Sequence, residues 1–133
     1  AEAAVAGLPN VCAQAFTMDL GGSINPKDCM NAEEALDELR FSERTPVAGV
    51  NPESSRPSAY SPWTRMRREE TTRLAIRIGV RGGVGNIVRF QADAAQITGA
   101  NYANRNKIRA YDMQFQLAKQ TDAGDDEFFF LFG

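Results

Sequence analysis

Hydrophobic and polar positions alternate most regularly between Arg73 and Arg81, where Leu74, Ile76, Ile78 and Val80 interleave with Arg73, Ala75, Arg77, Gly79 and Arg81. A period of two puts the aliphatic side chains on one face of a strand and the arginines on the other. The same alternation returns from Arg109 to Leu117, with Tyr111, Met113, Phe115 and Leu117 set against Ala110, Asp112, Gln114 and Gln116. Between them, Asn86 to Ala92 predicts a further strand carrying Val88 and Phe90. The glycine-rich stretch Arg81 to Gly85 joins it to the first strand as a hairpin connection. Asn101, Asn104 and Asn106 around Tyr102 predict a loop over 93–107, because asparagine favours turns and local side-chain bonding. Strands with one polar face predict a small antiparallel sheet of three to four strands. Its expected core is Leu74, Ile76, Ile78, Val80, Val88, Phe90, Tyr111, Met113, Phe115 and Leu117.

Upstream the spacing changes. Asn31 and Glu34 form an Asn-x-x-Glu arrangement similar to a capping box, and Ala32, Ala35, Leu36 and Leu39 follow at helical intervals. This predicts a short acidic helix over 31–41. Residues 42–62 then hold Pro46, Pro52, Pro57 and Pro62 among Ser, Asn, Gly, Glu and Arg, with only Val47, Val50 and Tyr60 as apolar anchors. Proline removes a backbone donor and pushes the preceding residue to extended geometry, so this stretch reads as a long extended arm. Ser61 and Pro62 then suit the first positions of a short helix running through Trp63, Met66 and Glu70. The expectation is therefore an α+β chain in three parts: an N-terminal segment and acidic helix (1–41), an arm or linker (42–62), and an antiparallel β-rich domain with an aromatic tail (63–133).

Charge sharpens this picture. The net charge is −2, yet residues 1–39 hold one lysine against seven acids, and residues 40–89 hold ten arginines against four glutamates. Opposite blocks of this size attract each other or face different partners. The chain has no histidine, which removes histidine-based triads and metal sites. Cys12 and Cys29 cannot alone supply the four ligands of a structural zinc site. A Cys12–Cys29 disulfide would contribute about 3 kcal/mol in the chain-entropy view. The other reading is two small buried thiols in a reducing compartment. The small-residue opening from Ala1 to Gly7 fits the remainder of a cleaved targeting peptide, hence an organelle lumen or stroma or export; the other location considered is a virion. Initiator-methionine removal before alanine leaves the same start. No apolar run approaches the ~20 residues of a membrane span. The glycines of 79–85 lack P-loop spacing, and Asp122, Asp125, Asp126 and Glu127 lack EF-hand spacing. No catalytic, cofactor or metal residue is assigned.

The remaining features ask for cover. Phe128, Phe129, Phe130, Leu131 and Phe132 are consecutive, so no alternation hides them all, and such surface normally marks an interface. The two readings are docking onto a partner and a final strand that closes the protein's own sheet. With Trp63, Arg65, Arg67, Arg68, Arg73, Arg77 and Arg81, these residues are the candidate partner-binding set. They predict a non-enzymatic structural or linker subunit of a large assembly. Its partners would be other protein subunits, as in a coat or a connector of a membrane or light-harvesting antenna complex. The alternative is a nucleic-acid-binding module that uses an Arg65–Arg89 basic stripe with Trp63 and Tyr60 for stacking. The arginine-interleaved strand Arg73–Arg81 is loosely similar to the small β domains of phycobilisome linker proteins. That likeness covers a short stretch and transfers no residue role.

Overall fold

Alternation prevails over helical spacing along most of the chain. The computed structural model describes residues 2–5, 12–28, 30, 36–56, 58–79 and 85–133. In chain order they form β1 (Glu2–Val5), β2 (Ala13–Asp19), β3 (Gly22–Asp28), β4 (Leu36–Arg44), β5 (Val47–Pro52), α1 (Pro62–Arg67), β6 (Thr71–Ile78), β7 (Val88–Arg105), β8 (Ile108–Leu117) and β9 (Phe129–Phe132). The fold is therefore mostly β, not the expected α+β, and no described helix reaches seven residues. Seven strands make one antiparallel sheet in the order β1-β6-β7-β8-β5-β2, with β9 beside β7. β3 and β4 make a separate two-stranded sheet.

β7 organises the molecule. Its first half pairs with β6 on one edge, from Ile78↔Val88 to Thr71↔Gln96, and with β9 on the other, from Val88↔Phe132 to Gln91↔Phe129. Its second half pairs with β8 from Ala95↔Leu117 to Arg105↔Ile108. β9 and β8 thus succeed one another along one edge of β7, with residues 118–128 looping out between them. Phe16 of β2, at one end of the strand order, lies 4.9 Å from Phe90 of β7 by ring centroid. The sheet therefore curls upon itself, and the core fills the curl: Val50, Leu74, Tyr111, Met113 and Phe115 are fully buried there.

The predicted loop over 93–107 is the second half of β7, and its sequence explains the error. Core-facing positions run Phe90, Ala92, then Ala95, Ile97, then Ala100. Register shifts between Thr72/Leu74 and between Ile97/Gly99 each insert one residue and flip the alternation. The strand is continuous although its period is broken twice. Ile78 and Val88, expected in the core, sit at the open end of the curl and are exposed. Val80 lies outside the described residues, as do Arg81 to Val84 of the expected hairpin connection. The β6–β7 antiparallel pairing it was expected to join is present.

Two upstream expectations are corrected. The acidic helix over 31–41 is not formed: residues 36–44 are β4, paired with β3, while 31–35 lie outside the described residues. A helix that short is marginal without a face to bury, and Glu38, Leu39, Arg40 and Phe41 themselves alternate. The Pro-rich arm expected over 42–62 is about half strand, in β4 and β5, and ends at the start of α1. β5 lies between β8 and β2, with Ala48, Val50 and Pro52 facing the core. Pro46 precedes β5 and Pro52 is its last residue, so neither interrupts it, and the Pro46 carbonyl accepts the Leu117 N–H at 3.0 Å. The short helix starts where expected, with the Ser61 hydroxyl accepting the Thr64 N–H and Pro62 in the first turn, but it ends at Arg67 and does not reach Glu70. Among the described residues no helix is long and apolar enough to cross a membrane.

Candidate functional site

The β3–β4 hairpin has a two-faced register. Ile24 stands opposite Phe41 and Pro26 opposite Leu39, while Asn25 faces Arg40 and Lys27 faces Glu38. Directly opposed residues share a face and neighbours alternate, so one face is Ile24, Pro26, Leu39 and Phe41. The other is polar, with Glu38 bonded to Arg40 and paired with Lys27 at 3.8 Å. A face of this composition belongs against protein. Yet every described residue of β3 is exposed, and Ile24, Leu39 and Phe41 are 55%, 67% and 77% exposed. The two strands pack chiefly on each other. At the root, Gly21 accepts the Thr45 N–H through its carbonyl at 3.4 Å. Arg44 reaches Glu127 at 2.7 Å and Asp125 at 2.8 Å. These hydrogen bonds, that to Glu127 first, raise the Arg44 pKa further above its ordinary value.

The second surface is the aromatic tail. Phe128 turns inward and stacks with Phe90 at 6.1 Å. Phe129 to Phe132 form β9, a strand whose described backbone partners all lie on the β7 side, and all four side chains are exposed. Of the two expectations, the final strand of the protein's own sheet is the one observed, and that strand still leaves apolar side chains exposed. On the outward face a row runs straight across four strands in register, Glu2↔Arg77↔Arg89↔Leu131, with Ala4↔Ala75↔Gln91↔Phe129 beside it. Arg77, Ile87, Arg89, Leu131, Phe132 and Gly133 line a shallow notch of about 280 Å³ there.

The candidate arginines do not make one continuous stripe. Arg65 and Arg68 share Glu70, at 3.3 and 3.6 Å, and Arg65 also lies over the Tyr60 ring. Arg73 pairs with Asp93 at 3.1 Å. Arg67 is exposed on α1, Arg77 lies in the notch, and Arg81 is outside the described residues. Trp63 is a packing anchor: its indole N–H donates to the Ala100 carbonyl at 3.0 Å, and its ring meets Tyr102 and Tyr111. Cys12 carries a free, exposed thiol, and its expected partner Cys29 lies outside the described residues.

Sequence reasoning missed Arg44 and Arg105. Arg105, near the end of β7, donates to Glu53 at 2.7 Å and lies 3.9 Å from the Cys12 sulfur, tying β7 to the segments flanking β5 and β2. Nothing in its local sequence marks it, because its partner stands 52 residues away. The outer face of β2, β5, β7 and β8 also carries a groove of about 490 Å³ lined by Thr17, Asp19, Asn51, Thr98, Asp112 and Gln114 among others. Among the described residues no cluster of His, Cys, Asp and Glu fits a metal ion. No protein-family model, curated protein or solved structure matches this chain.

Proposed function

We propose that the protein is a non-enzymatic structural subunit of a larger protein assembly, held to its neighbours by the β3–β4 hairpin and the β9 side of the sheet. The observation that carries this reading is the hairpin's apolar face, which its own chain leaves exposed. A lone two-stranded hairpin is marginal in water. Burying its three large apolar side chains supplies roughly 1.5–3 kcal/mol each. The exposed aromatic strand β9 supports the same reading from the other side of the sequence. The nucleic-acid alternative is weakened, because Arg65, Arg68 and Arg73 meet carboxylates of their own chain instead of forming one phosphate-binding track.

The test is the mass in solution. Sedimentation velocity over a wide concentration range is expected to show association of the wild type. Replacing Leu39 and Phe41 by serine should reduce it to monomer with unchanged secondary structure. A wild type that stays monomeric throughout and binds oligonucleotide in a salt-sensitive way would overturn the reading.

A further inference from the structure

Resting on that assembly reading, we propose that the open edge of β9 pairs antiparallel with the β9 edge of a second copy, about a twofold axis at Phe130. The backbone sets the polarity of this edge. Ile87 and Gly133 exchange both of their N–H···O bonds, at 2.8 and 3.0 Å. Antiparallel partners alternate between bonded and non-bonded pairs, so Arg89↔Leu131 and Gln91↔Phe129 are bonded too. Phe130 and Phe132 therefore point their N–H and C=O groups away from β7. Among the described residues no strand pairs with that edge. Proteins blunt free edges with lysine, proline or a bulge. Phe129 to Phe132 include no charge and no proline, and their register with β7 is unbroken.

The same segment of a second copy completes this edge in backbone, side chains and charge. With the axis at Phe130, that residue pairs with its own counterpart and Phe132 stands opposite the copy's Phe128. The outward-pointing groups of each chain then meet those of the other. On the core-facing side the row Ile76↔Phe90↔Phe130 runs on into its counterpart in the copy. Phe130 and Phe132, 46% and 78% exposed in one chain, there meet aromatic rings. Glu127 of each copy stands opposite Gly133 of the other, about 20 Å along the strand from its own counterpart. That is well past the Debye length of about 8 Å in physiological salt, whereas a parallel pair would set these carboxylates side by side. An edge this short is far smaller than the about 20–30 residues a side of a stable interface. Pairing at β9 therefore strengthens an association that the hairpins hold, and a chain lacking Leu39 and Phe41 still sediments as a monomer.

The test uses the full-length protein. Phe132→Pro removes an N–H that only the open edge can use, and a strand tolerates proline where its N–H faces outward. Phe132→Thr keeps that N–H and is the control. Trp63 emission checks that each is folded, because its ring is packed among Tyr102 and Tyr111. By sedimentation, Phe132→Pro should weaken association about tenfold or more, and Phe132→Thr clearly less. Cross-linking reads the register, with Cys12 and Cys29 replaced by serine. Phe130→Cys should give a disulfide-linked dimer on mild oxidation, because the Cα atoms of a bonded pair lie about 5.5 Å apart. Leu131→Cys should not, because its counterpart lies about 8 Å away, beyond the reach of a disulfide. Phe132→Pro protein that associates as well as wild type would overturn the proposal. So would cross-linking at 131 that equals that at 130. Weakened association with no cross-link at 130 would assign the edge to some other strand and overturn the pairing of β9 with itself. A monomeric wild type would instead bring down the assembly reading, and cross-linking at 130 would still decide the edge contact.

Discussion

Tyr60 shows how far a residue's setting can depart from its local sequence. Its neighbours are Pro57, Ser58, Ala59 and Ser61, and the pattern reads it as one of three apolar anchors on an arm. In the fold it is 5% exposed, packs on Tyr111, and its buried hydroxyl has no hydrogen-bond partner among the described residues. Burial pushes its phenol up to about 12, against an ordinary value near 10. The unfolded chain therefore releases this proton first, and the stability present below about pH 10 is lost as pH rises towards 12. Tyr60→Phe should remove that alkaline sensitivity and raise stability at neutral pH by about 1 kcal/mol, since an unsatisfied buried hydroxyl costs more than it returns. Urea denaturation at pH 7 and pH 11 checks both; a loss of stability at pH 7 would mean the hydroxyl is satisfied.

Among the elements, the hairpin depends most on its root. Gly21 sits at φ 57°, and a Cβ there would lie 2.3 Å from the Thr45 carbonyl oxygen. Gly21→Ala must therefore shift backbone, and a cost of about 2 kcal/mol or more is expected. Denaturant titration reads the cost, and sedimentation should show weakened association as the hairpin is re-aimed. Legibility also varied by element. β6 and β8 were plain in the sequence because each keeps one phase from end to end. β7 was half hidden because its two bulges reverse the phase. β4 was misread because Ala32, Ala35, Leu36 and Leu39 satisfy helical spacing while Leu39 and Phe41 satisfy strand spacing. A partner strand to supply backbone hydrogen bonds decided between them, and β3 is that partner.

At the scale of the whole molecule, the segregation of charge becomes a statement about association. A contact between the acidic hairpin and basic side chains of a neighbour is screened by salt, with a Debye length of about 10 Å at 0.1 M and about 3 Å at 1 M. Association should accordingly weaken between those ionic strengths without vanishing, because the apolar part of the contact is untouched by screening. Light scattering against added sodium chloride measures it; strengthening with salt would point to a purely apolar contact. Much of this was already determined by sequence: the strands with an unbroken period, the helix cap at Ser61 and Pro62, and a tail too apolar to hide itself. These are properties of adjacent residues, fixed by the geometry of one strand or one helical turn. Only the tertiary structure decided that β5 belongs beside β8, that Arg44 and Arg105 find acids 83 and 52 residues away, and that Phe128 turns in while Phe129 to Phe132 stay out. Those outcomes depend on which segments become neighbours when the sheet curls, and one-dimensional spacing carries no record of that.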